Sequence, residues 1–239
     1  MSHVWFITGT SSGLGKAMAE QVLMHDDTRV YGIGRRHTIV HENYLPINID
    51  LSDLAVLKQF VFPSLEAQTI VLFNNAGRLG EIAYCGNLDN EDIIQSYTVN
   101  TIAPHLFCNQ FIAQYQAADA KKIIINITSG AAKTVYDGWG VYGAGKAALD
   151  MFTQSIAAEQ QKINATNKIL AYAIAPGVMQ TAMQDQIRNT EAVNFSQQQK
   201  FKDLYQNNKL YHPEDVARWF WHFVQSCDSQ QETVQRINL

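Results

Sequence analysis

A glycine-rich run between an apolar stretch and a helix-forming stretch is the feature that most constrains the fold. Residues 8–15 read Thr-Gly-Thr-Ser-Ser-Gly-Leu-Gly, follow the apolar residues 4–7 and precede residues 16–24, which have the composition of a helix. The order is therefore strand, turn, helix. Glycines let a backbone approach a ligand closely, and the free N–H groups at a helix N-terminus attract phosphate. The run predicts either a phosphate-binding turn or only a tight strand-to-helix connection.

Apolar, β-branched runs alternate with helical stretches along the rest of the chain. The predicted strands cover residues 4–8, 29–34, 44–49, 69–73, 122–128 and 168–174, with a weaker seventh at residues 232–237. Buried strands separated by helices are typical of a parallel sheet with helices on both faces. We therefore expect an α/β, doubly wound Rossmann fold of about seven strands, in which residues 1–239 form a single domain. The polar, Gln-rich residues 178–208 are expected to be a helical insertion over a substrate cleft.

Composition and charge exclude several classes of protein. The net charge is −4 and no stretch is rich in Lys and Arg, which argues against a nucleic-acid partner. No apolar run is long enough to span a bilayer, and the first strand begins so early that we expect no signal peptide and a cytoplasmic protein. The three widely spaced cysteines, Cys85, Cys108 and Cys227, lack nearby histidines at metal-ligand spacing. We expect structural thiols and no metal.

Polar and glycine-containing segments follow the predicted strands one after another. In an open parallel sheet, ligands bind beyond the carboxyl ends of the strands. The segments that should meet there are residues 9–15, Arg35 and Arg36, Asp50, residues 74–77, Ser129, and Pro176 with Gly177. The sequence therefore predicts one ligand cleft along one edge of the sheet.

Six elements of the sequence, in their order and spacing, resemble those of the short-chain dehydrogenase/reductase family, and the resemblance covers nearly the whole chain. They are residues 8–15, the Asn-Asn-Ala-Gly run of residues 74–77, Asn100, Ser129, Tyr142 with Lys146, and Pro176-Gly177 followed by Thr181. Residues 130–133, 138–140 and 175–188 are most similar to bacterial benzil reductases that form (S)-benzoin, which are related to sepiapterin reductases. The resemblance implies a Rossmann domain that binds NAD(P) and transfers hydride.

The resemblance assigns catalytic roles to four residues. It implies that Tyr142 is the acid and base, and that Lys146 is the cation beside it and also binds the nicotinamide ribose. It implies that Ser129 orients the carbonyl group and that Asn100 anchors a water molecule in a proton relay. Lys146 stands one helical turn beyond Tyr142, on the same face. A cation about 4 Å away at an effective dielectric constant near 20 contributes on the order of 4 kcal/mol, which lowers a phenol pKa by about 3 before desolvation is counted. Taken singly, Tyr142 and Lys146 could be a surface pair, and Ser129 or Asn100 could be a helix cap.

NADP(H) is the expected cofactor. Families of this fold place Asp or Glu after the second strand to bind the ribose of NAD, whereas this chain has Gly34 followed by Arg35 and Arg36, and a guanidinium can hold a 2′-phosphate. The alternative is that both arginines are solvated loop charges. Asp50 is expected either to accept the adenine amino group or to cap the next helix. The expected cofactor-binding residues are Gly9, Ser11, Ser12, Gly13, Leu14, Gly15, Arg35, Arg36, Asp50, Asn75, Ala76, Gly77, Tyr142, Lys146, Pro176, Gly177, Val178 and Thr181.

The leading functional expectation is an NADPH-dependent carbonyl reductase for a bulky, aromatic or diketone substrate such as benzil. An NAD-linked alcohol dehydrogenase, a 3-ketoacyl reductase and a non-catalytic dinucleotide sensor stay open as alternatives. Six apolar residues are expected to line the substrate pocket or simply to pack in the core: Val135, Tyr136, Trp139, Met179, Met183 and Phe195. The resemblance also implies a homodimer or homotetramer formed through residues 91–114 and 142–160.

Overall fold

The fold contains one parallel sheet of seven strands. The computed structural model describes residues 2–163 and 168–239, so the predicted domain of residues 1–239 includes positions that lie outside the described part. The strands are β1 His3–Thr8, β2 Thr28–Gly34, β3 Tyr44–Asn48, β4 Thr69–Asn74, β5 Lys121–Ile127, β6 Ile169–Ala175 and β7 Val234–Arg236. Their order is β3-β2-β1-β4-β5-β6-β7, with every neighbouring pair parallel. The predicted α/β, doubly wound Rossmann fold is confirmed.

Helices connect the strands. They are α1 Gly13–Leu23, α2 Leu54–Gln59, α3 Asn90–Tyr97, α4 Ala103–Tyr115, α5 Gly140–Gln160, α6 Ala182–Asn189, α7 Gln198–Gln206 and α8 Pro213–Ser226. A π-helical segment, Thr98–Ile102, joins α3 to α4, and a 3₁₀ turn, Gly130–Ala132, follows β5. Among the described residues, no helix is both long and apolar enough to cross a membrane.

The two faces of the sheet bury different side chains of the same strands. Trp5 and Ile7 of β1 pack with α1 and α8, whereas Phe6, between them, packs with α4 on the opposite face. Successive side chains of a strand point to opposite faces, so a strand covered on both sides reads as a continuous apolar run. Because β1 is buried on both faces, its residues 4–7 are all apolar. The helices packed on both faces also hold the sheet, and with it the carboxyl ends of its strands, in place.

The glycine run forms a turn that leads directly into α1. Gly9 and Gly13 have positive φ angles of 74° and 55°, which side chains with a Cβ rarely adopt. A Cβ on Gly15 would lie only 2.2 Å from the carbonyl oxygen of Gly9. The helix begins at Gly13, three residues before the predicted start, because the last two glycines of the run belong to its first turn.

The predicted insertion is helical and contains α6 and α7. Ile187 of α6 and Phe201 of α7 pack with Phe195 and with Trp139 and Tyr142 near the start of α5, in an apolar cluster separate from the two beside the sheet. We call it the third cluster. Helices α6 and α7 therefore lie above the carboxyl edge of the sheet.

One carboxylate ties this insertion to the segment before α5. Asp137 accepts hydrogen bonds from the backbone N–H and the hydroxyl of Ser196, both at 2.9 Å, and from the Tyr84 hydroxyl at 2.9 Å. These bonds lower the pKa of Asp137 despite the opposing effect of desolvation. Beside it, Gly138 has a φ of 74°, and a Cβ there would lie 2.2 Å from the Asn194 carbonyl oxygen. The start of α5 and the insertion are therefore in close backbone contact.

Candidate active site

A cleft of about 770 Å³ runs along the carboxyl edge of the sheet. It is lined by residues from the glycine turn, from the loops after β2 to β6, and from α5 and α6. Of the expected site residues, those that line it are Gly9, Ser11, Ser12, Gly13, Leu14, Arg35, Arg36, Asp50, Asn75, Ala76, Gly77, Ser129, Tyr142, Lys146, Pro176, Gly177, Val178 and Thr181. Gly15 and Asn100 lie directly behind the wall. The structure therefore brings the expected residues together around one space.

The glycine turn is fixed by the loop that follows β4. The side chain of Asn75 donates to the carbonyl oxygen of Thr8 at 3.0 Å, and the Thr8 hydroxyl accepts from the N–H groups of Asn75 and Ala76, both at 2.9 Å. Across the cleft, the Thr181 methyl group would lie 3.4 Å from a Cβ on Gly13. These contacts hold the turn at the N-terminus of α1, where the first N–H groups of a helix are suited to bind an anion.

Arg35 and Asp50 form the opposite end of the cleft. The Arg35 guanidinium lies 3.6 Å from the Asp50 carboxylate, and both side chains are exposed. Asp50 accepts hydrogen bonds from the N–H and the hydroxyl of Ser52, which lower its pKa, with a smaller contribution from Arg35. Asp50 does not cap the following helix. Asp53 caps α2, because its carboxylate accepts from the N–H groups of residues 55 and 56.

A buried hydroxyl that the sequence did not single out supports this end of the cleft. Tyr44 of β3 reaches under β2, and its hydroxyl lies 2.7 Å from both the Thr10 hydroxyl and His37 Nδ1. The close approach requires Gly32, where a Cβ would lie 2.1 Å from the Tyr44 oxygen. The network joins the glycine turn to the segment after Arg36, so these two parts of the cleft are held in a fixed relation.

Asn100 lies in the π-helical segment and holds the loop after β4. Its Oδ1 accepts from the N–H of Arg78 at 2.8 Å, and its Nδ2 donates to the carbonyl oxygen of Arg78 at 2.7 Å. A Cβ on Gly77 would lie 3.2 Å from Asn100 Oδ1 and 3.7 Å from Lys146 Nζ. Asn100 therefore sits close to Lys146, but both ends of its side-chain amide bind backbone.

Ser129, Tyr142 and Lys146 meet in the middle of the cleft. Tyr142 and Lys146 are 8% and 4% exposed, so the alternative of a surface pair is wrong. The Ser129 hydroxyl interacts with Tyr142 and also accepts from the N–H of Ala131 at 3.2 Å, at the start of the 3₁₀ turn. Lys146 Nζ donates to the carbonyl oxygen of Ile127 at 2.8 Å and lies 5.9 Å from the centre of the Tyr142 ring.

Burial controls the ionisation of these groups. It raises the pKa of Tyr142, and the hydrogen bond with Ser129 lowers that pKa by less. Burial also lowers the pKa of Lys146 to about 8, against the opposing effect of Asp150. The net direction for Tyr142 is the opposite of the one expected from the Lys146 charge alone, because desolvation of the phenolate dominates and the cause that opposes it is Ser129, not Lys146. A protonated phenol at neutral pH is the form that can donate a proton.

Aromatic and aliphatic side chains line the cleft beyond Tyr142. Four of the six expected pocket residues line it: Tyr136, Trp139, Met179 and Met183. The other two do not. Val135 is 96% exposed, and Phe195 is fully buried behind Trp139, stacked on it with ring centres 4.8 Å apart. Residues that the sequence did not single out also line the cleft: Arg78, Leu79, Gln184, Ile187, Phe201 and Arg236.

Comparison with known proteins identifies the family. The sequence model of the short chain dehydrogenases matches residues 3–192, which is most of the chain. The chain belongs to the short-chain dehydrogenase family. It is therefore an oxidoreductase, and the family's cofactors are nicotinamide dinucleotides. The glycine turn fits such a group, because Gly9, Ser12 and Gly13 line the cleft at the start of α1, where the first N–H groups of a helix attract phosphate.

The curated relatives include two bacterial benzil reductases that form (S)-benzoin. The chain is 35% identical to the one from Bacillus cereus, over 97% of this chain and 98% of the relative, and 34% identical to the one from Bacillus subtilis, over 90% of each. Mouse sepiapterin reductase is 27% identical over 78% of each chain. The predicted resemblance to this part of the family is confirmed.

Solved structures share the fold. The crystal structure of the KRED1-Pglu enzyme superimposes with a TM-score of 0.82, covering 98% of this chain and 100% of that one, at 25% sequence identity. Among the described residues, no group of three or more His, Cys, Asp or Glu side chains is arranged to hold a metal ion.

Proposed function

We propose that this protein is an NADPH-dependent carbonyl reductase that acts on bulky aromatic ketones and diketones of the benzil type. The observation that carries the proposal is the buried Tyr142 hydroxyl beside Ser129. It lies in a cleft with a glycine turn and Arg35 at one end and aromatic side chains at the other. The similarity to benzil reductases supports the substrate class.

The chain's own residues would bind and protonate the substrate. Bound NADPH supplies the hydride for the carbonyl carbon. Ser129 and Tyr142 donate hydrogen bonds to the carbonyl oxygen, which holds the carbon in position. As the C–H bond forms, the carbonyl π pair moves onto oxygen, which takes the proton of Tyr142. The ammonium of Lys146 stabilises the resulting phenolate until Tyr142 is reprotonated from solvent.

The walls of the cleft favour an aromatic substrate. Trp139 lies edge-on to Tyr142, with ring centres 6.0 Å apart, and Tyr136 lies 4.9 Å from Trp139. Phe201 is in the same cluster, 5.2 Å from Trp139. Aromatic pairs in such offset and edge-to-face arrangements attract each other beyond the gain from burial alone. A phenyl ring attached to the carbonyl carbon would therefore enter a site that matches its shape and polarity.

The test is consumption of NADPH and of NADH, followed at the nicotinamide absorbance, with benzil and with small aliphatic ketones. We expect rapid oxidation of NADPH with benzil and slow oxidation with small ketones. Fast turnover of aliphatic alcohols with NAD, or of 3-ketoacyl substrates, would replace the proposal with one of those activities. Tight binding of NADPH without turnover of any substrate would indicate a dinucleotide sensor.

Arg35→Ala is expected to raise the KM for NADPH about 10- to 100-fold, while the KM for NADH changes little. The reason is the loss of a charge-assisted hydrogen bond to the 2′-phosphate, which NADH lacks. Initial rates with each cofactor measure the effect. Arg29→Ala is the matched control, since Arg29 lies at the other end of β2 and does not line the cleft. An equal rise of the KM for NADPH and of the KM for NADH in Arg35→Ala would contradict the role proposed for Arg35.

We also propose that two or four copies assemble through α4 and α5. Met151 on α5 is 64% exposed and Ile102, just before α4, is 38% exposed. Ala144 and Ala148 are also exposed on α5, and small side chains permit close helix contact. Light scattering after size-exclusion chromatography gives the mass in solution, and a monomer at micromolar concentration would exclude this assembly.

A further inference from the structure

Helix α5 carries a second buried charged residue, Asp150, which has no role in the mechanism proposed above. Asp150 stands one turn beyond Lys146 and two turns beyond Tyr142 on α5, so the three side chains share one face of the helix. Asp150 is 6% exposed and Lys146 is 4% exposed. Aspartate and lysine are almost never buried this deeply unless they are paired.

Neither charge has a close ion-pair partner. Lys146 Nζ donates to the carbonyl oxygen of Ile127, and no carboxylate of the described residues lies within 4.0 Å of it. Oδ1 of Asp150 and the hydroxyl of Thr128 are both buried without a hydrogen bond of ordinary geometry, although the two groups are neighbours. The carboxylate therefore remains available to interact with Lys146 through space.

Few other charges act on this pair. Lys133, after the 3₁₀ turn, lowers the pKa of Asp150, as Lys146 does, but burial raises that pKa by more. The elements packed on α5 also bring Tyr97 of α3 against Gly145, His105 of α4 against Phe152, and Arg236 of β7 toward Gly130. These three are not among the charges that shift either group. Asp150 is the charge that acts on Lys146.

We propose that Asp150 is a positioning residue for the reaction: its buried carboxylate, one helical turn from Lys146, keeps the side chain of that lysine charged beside Tyr142. The inference rests on the proposed function, in which Lys146 stabilises the Tyr142 phenolate as an ammonium. Burial opposes that charge, and the carboxylate restores part of it without contacting substrate or cofactor.

The sign of the effect is fixed by electrostatics. A neighbouring anion favours the ammonium form, so removal of the carboxylate lowers the pKa of Lys146 below about 8. In Asp150→Asn, the lysine then loses its proton at a lower pH than in the wild type. The expected shift is on the order of one pH unit. At pH about 6 the lysine is protonated in both proteins, so their activities should be similar.

The direct measurement is an NMR titration of ¹³Cε-labelled lysine in the cofactor-free protein, with the Lys146 signal assigned by its absence in Lys146→Met. The Lys146 signal of Asp150→Asn should titrate at lower pH, and Asp150→Glu should restore the wild-type midpoint. The matched control is Glu159→Gln, which removes the same charge from an exposed position of the same helix. An unchanged Lys146 midpoint in Asp150→Asn would overturn the proposal.

The pH profile of kcat/KM with NADPH and benzil links the shift to catalysis. We expect the alkaline limit of Asp150→Asn to move down together with the NMR midpoint. A uniform loss of rate at every pH would show that Asp150 only supports the fold. If Asp150→Asn does not fold, Asp150→Ser replaces it, because it also removes the charge and leaves a smaller polar side chain. The same downward shift of the Lys146 midpoint is expected, and an unchanged midpoint would reject the inference. If the wild type has no reductase activity, the proposed function fails while the NMR result stands.

Discussion

Tyr142→Phe is expected to lower kcat with NADPH and benzil by about 100- to 10,000-fold, the range for loss of a general acid. The phenylalanine ring keeps the packing of the third cluster but has no proton to donate. Ser129 keeps its hydrogen bond from the N–H of Ala131, so the loop after β5 should not move. The affinity for NADPH, measured by the change in nicotinamide fluorescence, should stay close to that of the wild type, which separates chemistry from binding.

Tyr136→Phe is the matched control. Tyr136 also lines the cleft and belongs to the third cluster, but its hydroxyl lies near Lys200, at 3.4 Å, and away from Ser129. The same change of one hydroxyl should leave kcat within a small factor of the wild-type value. If both variants kept full activity, another group would have to supply the proton, and the mechanism proposed for Tyr142 would be wrong.

Gly15→Ala is expected to weaken NADPH binding at least tenfold and to lower stability by about 1–3 kcal/mol, the usual range for an overpacked site. The added methyl group would lie 2.2 Å from the Gly9 carbonyl oxygen and 2.4 Å from the Asn75 amide nitrogen. The backbone must therefore move in the turn that we propose binds the diphosphate. For a chain of this size, a loss of this order lowers Tm by several degrees, or about 2–4 °C for each kcal/mol.

Thermal unfolding with and without NADPH measures both effects in one experiment. NADPH should raise the Tm of the wild type and raise that of Gly15→Ala less, because the stabilisation by a ligand grows with the logarithm of its concentration divided by its Kd. Gly140→Ala serves as the comparison: the nearest atom to its added methyl would be Cys85 Sγ, at 3.9 Å, and alanine suits the start of a helix. An equal drop in the Tm of Gly15→Ala and Gly140→Ala would contradict the prediction, because it would indicate that both glycine positions are equally sensitive to an added methyl group.

The sequence predicts the sheet and the cleft along its carboxyl edge, for a simple physical reason. Strands buried on both faces must be continuously apolar, and residues such as Trp5 and Phe6 satisfy both faces at once. Where two backbone segments approach closely, only glycine fits, so the requirement for glycine at position 15 can be inferred from the sequence as well as from the structure. Segments that follow successive parallel strands must lie at one edge, which brings Ser129 near the glycine turn without any knowledge of loop geometry.

What the sequence could not predict depends on burial and on contacts between distant segments. The spacing of Tyr142 and Lys146 shows that they share a helix face, but not that burial raises the pKa of Tyr142. Asp50 and Asp53 both precede α2, and only the backbone geometry shows that Asp53 is the cap. Strand β7 is three residues long, so nothing in the sequence placed Arg236 at the cleft.

The third cluster has two roles in the proposed enzyme: it forms the wall of the proposed substrate pocket, and it is the hydrophobic core that packs α6 and α7. Trp139 faces the cleft on one side and stacks on the fully buried Phe195 on the other. Any substitution that enlarges the pocket for a new ketone therefore also removes packing that holds α6 and α7 in place. In laboratory evolution, variants with a broader substrate range should therefore have a lower Tm. Variants selected for larger substrates should need compensating substitutions among the buried residues of the third cluster, such as Phe195.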